Sequence, residues 1–121
     1  RTDGRGVDLV VDPVGGQAFD VAGRALTTEG RLLVIGFAAG GIPTVKVNRL
    51  LLRNVSIVGV GWGEFVNRTP GAQAEVGAAL STPVDAGLRP PAPVRFPLSE
   101  GAAALQSLAD GGINGKLVLE P

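Results

Sequence analysis

The sequence predicts an α/β chain built on an open parallel sheet. Short β-branched runs alternate with helix-spaced apolar positions, "RLLVIGF" is apolar on both faces as a strand covered on two sides is, and glycine-rich loops follow the strand ends. Strand, helix and strand in succession make a βαβ unit, whose crossover is right-handed when its strands are parallel.

Residues 6–11, "GVDLVV", form the first expected strand, closed by a turn at Asp12-Pro13. Over 16–26, Ala18, Phe19, Ala22, Ala25 and Leu26 recur at helical spacing, and Glu29-Gly30 reads as the stop. Residues 31–37 are the next strand. After the loop "AAGGIP", 47–54 reads as a short helix with its leucines turned inward, and 55–62, "VSIVGVGW", as a third strand. Thr69-Pro70 opens a helix through 80, with Thr69 as cap, and Pro83 is expected to kink or restart it behind Ser81 or Thr82. Prolines make 93–98 an edge strand. Ser99 caps a helix through 109, with Glu100 in its first turn and Ala103, Leu105 and Leu108 as core; Gly111-Gly112 ends it, and 115–120 is the last strand.

At 121 residues and 45% hydrophobic content the chain can bury a core, and its 19 glycines and 9 prolines fall between apolar runs, as loops. Eleven cations balance eleven carboxylates with no basic run, so neither nucleic acid nor an anionic membrane is an expected partner. The absence of cysteine and histidine removes disulfides, thiol nucleophiles, imidazole bases and the usual zinc ligands. The longest apolar stretch, 32–42, is interrupted by glycines and shorter than the ~20 residues of a membrane span. No secretory segment opens the sequence, and a soluble cytoplasmic protein is expected. The start at Arg1, without methionine, suits a processed chain or a piece of a longer one.

"VGVGWGEF" carries Gly59, Gly61 and Gly63 around the single tryptophan, with Glu64 where the third glycine of G-x-G-x-x-G belongs, so the phosphate-cradling fingerprint fails. Parallel strands would instead bring "DPVGG", "GFAAGG" and "GVGWG" to one carboxyl edge, where ligands of open α/β sheets bind. Glycine there lets another backbone or a flat ligand approach, and a carboxamide can use the main-chain groups. Each residue also has a plainer use. Gly15-Gly16 suits a turn before a helix, Gly36 ends a strand, and Phe37 and Trp62 suit a core or interface. Asp12 reads as a turn cap ahead of proline more readily than as a base. Lys116 is a solvated strand end or a phosphate contact, and Glu64 has no identifiable partner.

Taken together, "GRGVDLVVDPVGGQAFDVAGRALTTEGRLLVIGFAAGGIP", "LLLRNVSIVGVGWGEF" and "FPLSEGAAALQSLADGGINGKLVLEP" resemble the carboxyl-terminal part of the medium-chain dehydrogenase/reductases, specifically zinc-independent NAD(P)H quinone oxidoreductases. The resemblance implies the second half of a Rossmann-type doubly wound parallel sheet over 1–88, then a segment over 89–121 returning to a GroES-like catalytic domain. It implies NADP, or NAD, as cofactor and no metal. The loop after the first strand would place Pro13, Val14 and Gly15 beside the ribose. The next would place Ile35, Gly36, Phe37 and Ala38 at the nicotinamide. Val60, Gly61 and Trp62 would hold the carboxamide through their backbone, and Lys116 would lie near the cofactor. The third strand is also the usual dimer contact, so a homodimer is implied. Pro83 departs from a helix that relatives keep continuous.

The reaction so implied is hydride transfer to a small-molecule quinone or conjugated enone, with the isolated chain inactive because the fingerprint is missing. An enoyl-reductase module of a polyketide synthase shares fold and cofactor. A non-catalytic dimerisation or scaffold module stays open, as does a flavodoxin-like or regulator-like module, for which only Asp12 is available.

Overall fold

The computed structural model describes residues 2–121 and divides between Gln73 and Ala74 into two units. In the first, β1 (Val7–Asp12), β2 (Leu26–Val34) and β3 (Ser56–Gly59) lie in that order with both pairings parallel. Val10, Leu32 and Ile57 share one row across the sheet and pack in its core, Leu32 with no exposure at all. The next row, Val11, Leu33 and Val58, takes the other face, as the two-residue period requires; Val11 is 55% exposed and Val58 38%.

Two helices complete this unit. α1 (Gly16–Ala25) links β1 to β2 and drives Phe19 against Leu26 and Leu32, while α2 (Val47–Arg53) links β2 to β3. Arg53 ties the helices together: its guanidinium donates to the carbonyls of Gly23, Arg24 and Leu26 at 3.2, 3.0 and 2.6 Å, closing the carboxyl end of α1, whose carbonyls lack helical partners. Asn54 ends α2 in the left-handed region, which asparagine tolerates, and its carbonyl accepts from the Glu29 amide at 2.7 Å.

Several sequence expectations shift here. Glu29-Gly30 does not stop the helix; α1 ends at Ala25 and β2 begins at once. Between Val7↔Leu26 and Leu9↔Arg31, β1 advances two residues while β2 advances five, so Glu29-Gly30 lies in a bulge. Glu29 adopts a positive φ of 63°, and a Cβ on Gly30 would meet the Thr27 carbonyl at 2.9 Å. β2 stops at Val34, leaving Phe37 in a loop. β3 stops at Gly59, and Trp62 opens α3 (Trp62–Arg68), so Thr69 follows a helix instead of capping one. Glu64 in the first turn of α3 pairs with Arg68 in the last, a spacing and polarity that suit the helix dipole. The leucines of α2 are not all inward: Leu51 and Leu52 are 80% and 79% exposed.

α4 (Ala72–Asp85) begins just ahead of the division, and the second unit adds β4 (Val94–Pro97), a 3₁₀ turn over Leu98–Glu100, α5 (Gly101–Ala109) and β5 (Leu117–Glu120). The expected junction at 88/89 falls inside this unit, between α4 and β4. Pro83 neither breaks α4 nor leaves Ser81 or Thr82 as a cap. It sits in the last turn, where few helical bonds depend on its missing N–H, and the Ser81 hydroxyl donates back to the Gly77 carbonyl at 3.2 Å. Gly87, at φ 103°, then closes the helix, with Leu88 N–H donating to the Pro83 carbonyl at 2.9 Å.

β4 and β5 pair in parallel with α5 between them in sequence. Ser99 lies in the 3₁₀ turn and makes no cap bond. The buried position of α5 is Ala104, fully enclosed, and a Cβ on Gly101 would already touch the Leu119 side chain at 3.4 Å; Ala103, Leu105 and Leu108 are exposed instead. Close approach to a two-stranded sheet selects the small residues, which reverses the face that hydrophobicity alone picks out.

Leu32→Ala should lower stability by about 2–5 kcal/mol in urea denaturation, since it opens a cavity at a side chain with no exposure, whereas Leu51→Ser should change it by less than about 0.5 kcal/mol. Gly6→Ala should cost more than about 1 kcal/mol, because φ there is 91° and the new Cβ would meet the Ala25 carbonyl at 2.6 Å.

Candidate functional site

The three strands of the first unit end in one row. Asp12 pairs with Val34, and Val34 with Gly59, so the chain leaves the sheet three times at the same edge. The ladder runs one step further on each side: Ile35 N–H donates to the Asp12 carbonyl at 3.0 Å, and Val60 N–H to the Val34 carbonyl at 2.9 Å.

Asp12 shapes the first loop. It is 4% exposed, and its Oδ1 accepts from the Val14 and Gly15 amides, both at 2.9 Å, so the side chain folds the turn that the sequence expects of an aspartate before proline. Its Oδ2 is buried and meets no donor among the described residues. Gly15, at φ 69°, then leads into α1.

The first and second loops are joined main chain to main chain. Ala38 N–H donates to the Pro13 carbonyl at 3.0 Å, Ala39 N–H to Val14 at 2.9 Å, and Gly16 N–H to Gly41 at 3.1 Å. Glycine is required for this approach: a Cβ on Gly15 would meet both the Gly41 carbonyl and the Phe37 ring at 3.0 Å, and one on Gly36 the Pro13 carbonyl at 3.1 Å. Gly15 and Gly36 therefore admit a neighbouring backbone. Gly61 differs, since the nearest atom to its added Cβ is 3.9 Å away.

The structure thus gathers Pro13, Val14, Gly15, Ile35, Gly36, Phe37, Ala38, Val60, Gly61 and Trp62 at one edge. Lys116 belongs to the second unit, directly ahead of β5, where its carbonyl accepts from the Val94 amide at 2.9 Å. Among the described residues the amides of Gly36, Phe37 and Gly61 donate to no main-chain carbonyl. Val14, Ile35, Phe37, Val60 and Trp62 remain 39–50% exposed beside them, an apolar margin with free main-chain donors. Two contributors escaped the sequence reading. Gly41 anchors the second loop, and Phe65 on α3 packs its ring 5.9 Å from that of Trp62. The signal for Phe65 was present in Gly61, Glu64 and Arg68, which mark the start and end of α3.

This edge can position a flat, partly apolar group and satisfy a carbonyl oxygen. It offers no imidazole or thiol, and among the described residues no group of three histidine, cysteine, aspartate or glutamate side chains could hold a metal ion.

Comparison with known proteins agrees with this architecture. A family model described as zinc-binding dehydrogenase matches residues 1–119. Quinone oxidoreductase-like protein 2 of Bos taurus is 36% identical over 115 residues, covering 94% of this chain and 33% of that protein. A probable oxidoreductase from Mycobacterium abscessus is 53% identical with a TM-score of 0.79, over 99% of this chain and 34% of that one. A mycobacterial protein solved in complex with NADPH is 29% identical with a TM-score of 0.86, over 99% and 37% respectively. The chain spans about a third of the length of each. Its fold is the Rossmann-type α/β arrangement of these oxidoreductases, and the chain belongs to the zinc-binding dehydrogenase family within the medium-chain dehydrogenase/reductases.

Proposed function

We propose that these residues form the nicotinamide-facing part of an NAD(P)H-dependent oxidoreductase that reduces a small-molecule quinone or conjugated enone. The observation that carries the reading is the single strand-end row from which two zipped loops and the Gly61 segment leave, with the Gly36, Phe37 and Gly61 amides unclaimed. Open α/β sheets bind ligands at that edge. The NADPH complex of the mycobacterial relative supports NADP as the cofactor, with NAD as the alternative.

When bound, the cofactor supplies the hydride; the protein supplies position and polarity. Pro13, Val14 and Gly15 would hold the ribose, and Ile35, Gly36, Phe37 and Ala38 the nicotinamide. The backbone of Val60, Gly61 and Trp62 would hold the carboxamide. The half-exposed Phe37 and Trp62 side chains would exclude water from the ring. No side chain here is assigned as acid or base. The sequence has no G-x-G-x-x-G to grip the pyrophosphate, so binding by these 121 residues alone is expected to be weak.

The family model's description names zinc, and the residues present do not fit it: there is no histidine or cysteine, and no acidic cluster among the described residues. This composition accords with the zinc-independent branch. β3 lies at the end of its sheet, which supports a homodimer formed along that strand. A cytoplasmic setting completes the proposal.

The lone tryptophan provides the assay. NADPH should quench Trp62 fluorescence, and Gly36→Val should weaken that binding at least about tenfold, equivalent to about 1.4 kcal/mol, because the added side chain pushes the Pro13 loop away. Gly77→Ala, in open space on α4, should not change it. With far-UV circular dichroism confirming the fold of each variant, equal affinities for Gly36→Val and the native chain would remove the site. In an NADPH-oxidation assay with a quinone acceptor, a longer polypeptide containing these residues should turn over and the 121-residue chain should not; turnover by the chain alone would refute the division of labour.

A further inference from the structure

A second site lies on the helix-covered face of the same sheet. Between α1 and α2 lies a half-open cleft of about 410 Å³ lined by Phe19, Leu50, Val55 and Ile57, with the buried Leu26 and Leu32 beneath. Leu26 opens β2, Val55 immediately precedes β3 and Ile57 lies within it, so this cleft runs along the helix-covered face of the sheet, and none of its lining residues belongs to the site at the carboxyl edge. Its volume is within the range of ligand pockets, about 300–1,000 Å³.

The mouth has a definite sign. Arg24, Lys46, Arg49 and Arg53 line it against one carboxylate, Asp20, although the whole chain carries eleven charges of each sign. Arg49 approaches Asp20 at 3.4 Å, and Arg53 is committed to three carbonyls of the α1 terminus. Among the described residues, Arg24 and Lys46 meet no carboxylate within 4.0 Å. Apolar walls beneath unmatched cations at the rim are complementary to one class of molecule.

We propose that this cavity binds an amphiphilic monoanion, a carboxylate on an alkyl tail of medium length. The tail lies against Phe19, Leu50 and Ile57, and the headgroup meets Arg24 and Lys46. Burying the tail supplies affinity in proportion to apolar area, and the cations select the sign of the headgroup. Such a ligand bridges α1 and α2 and stabilises the native chain by mass action. The inference does not depend on the cofactor reading, since no residue lining this cleft belongs to the carboxyl-edge site.

The test compares decanoate, decanol and decyltrimethylammonium titrated into the full chain, followed by ¹⁵N–¹H correlation spectra and by Tm. Decanoate should shift the amides of Phe19, Leu50 and Ile57 saturably and raise Tm, decanol should bind at least tenfold more weakly, and the decyl cation should not compete. Arg24→Gln combined with Lys46→Gln should weaken decanoate at least tenfold and leave decanol unchanged; if the double variant loses its native spectrum, Lys46→Gln alone should weaken decanoate at least threefold. Equal affinity for decanoate and decanol in the native chain, preference for the cation, shifts centred on Gly36 and Trp62, or no saturable shift because another part of the polypeptide fills the cavity would each overturn the proposal.

Discussion

Parallel strands that end in one row decide where everything after them goes. Because Asp12, Val34 and Gly59 stand side by side, three separate stretches of sequence emerge at a single edge. The register is fixed by the row of Val10, Leu32 and Ile57 under the helices: a slip of one residue would turn Leu32 away from Phe19 and Leu26 and put Leu33 in its place. Packing one layer below thus sets the geometry of the loops above.

Within that edge, the chemistry is almost entirely main chain. The Asp12 carboxylate organises the first loop, and hydrogen bonds from Ala38, Ala39 and Gly16 fasten the second to it. Gly15 and Gly36 permit this approach, and it leaves the Gly36 and Phe37 amides with no main-chain partner among the described residues. A site made this way needs few specialised side chains, which is consistent with a sequence that has no histidine or cysteine. On the helix-covered face of the same strands the balance is reversed, since the cleft between α1 and α2 is defined by apolar side chains and by charged ones beside them.

Much of this was legible in the sequence because the signals were local. β-branched runs and helical spacing gave β1, α1 and α2 close to their bounds, and the glycine loops pointed to a shared edge. What stayed hidden depended on tertiary packing. Glu29 gives no sign of the left-handed backbone that lets β2 begin early, because the bulge is imposed by Gly30 packing on Leu26 and by the Asn54 carbonyl holding the Glu29 amide. Trp62 looked like strand because the run before it is β-rich, although Gly61, Glu64 and Arg68 carried the helix signal. On α5 the hydrophobic pattern chose Leu105 and Leu108, while close approach to the sheet chose Gly101 and Ala104. The resemblance to quinone oxidoreductases added what spacing could not, the cofactor and the residues expected around it.

The central claim is that a nicotinamide ring sits on the main chain at the carboxyl edge of this sheet. Nicotinamide mononucleotide carries that ring without the adenylate half, so its titration followed by ¹⁵N–¹H correlation spectra addresses the claim directly. The account predicts perturbations concentrated at the amides of Gly36, Phe37 and Gly61 and at the Trp62 indole. Perturbations scattered over α2 and α5, or none at saturating ligand, would contradict it.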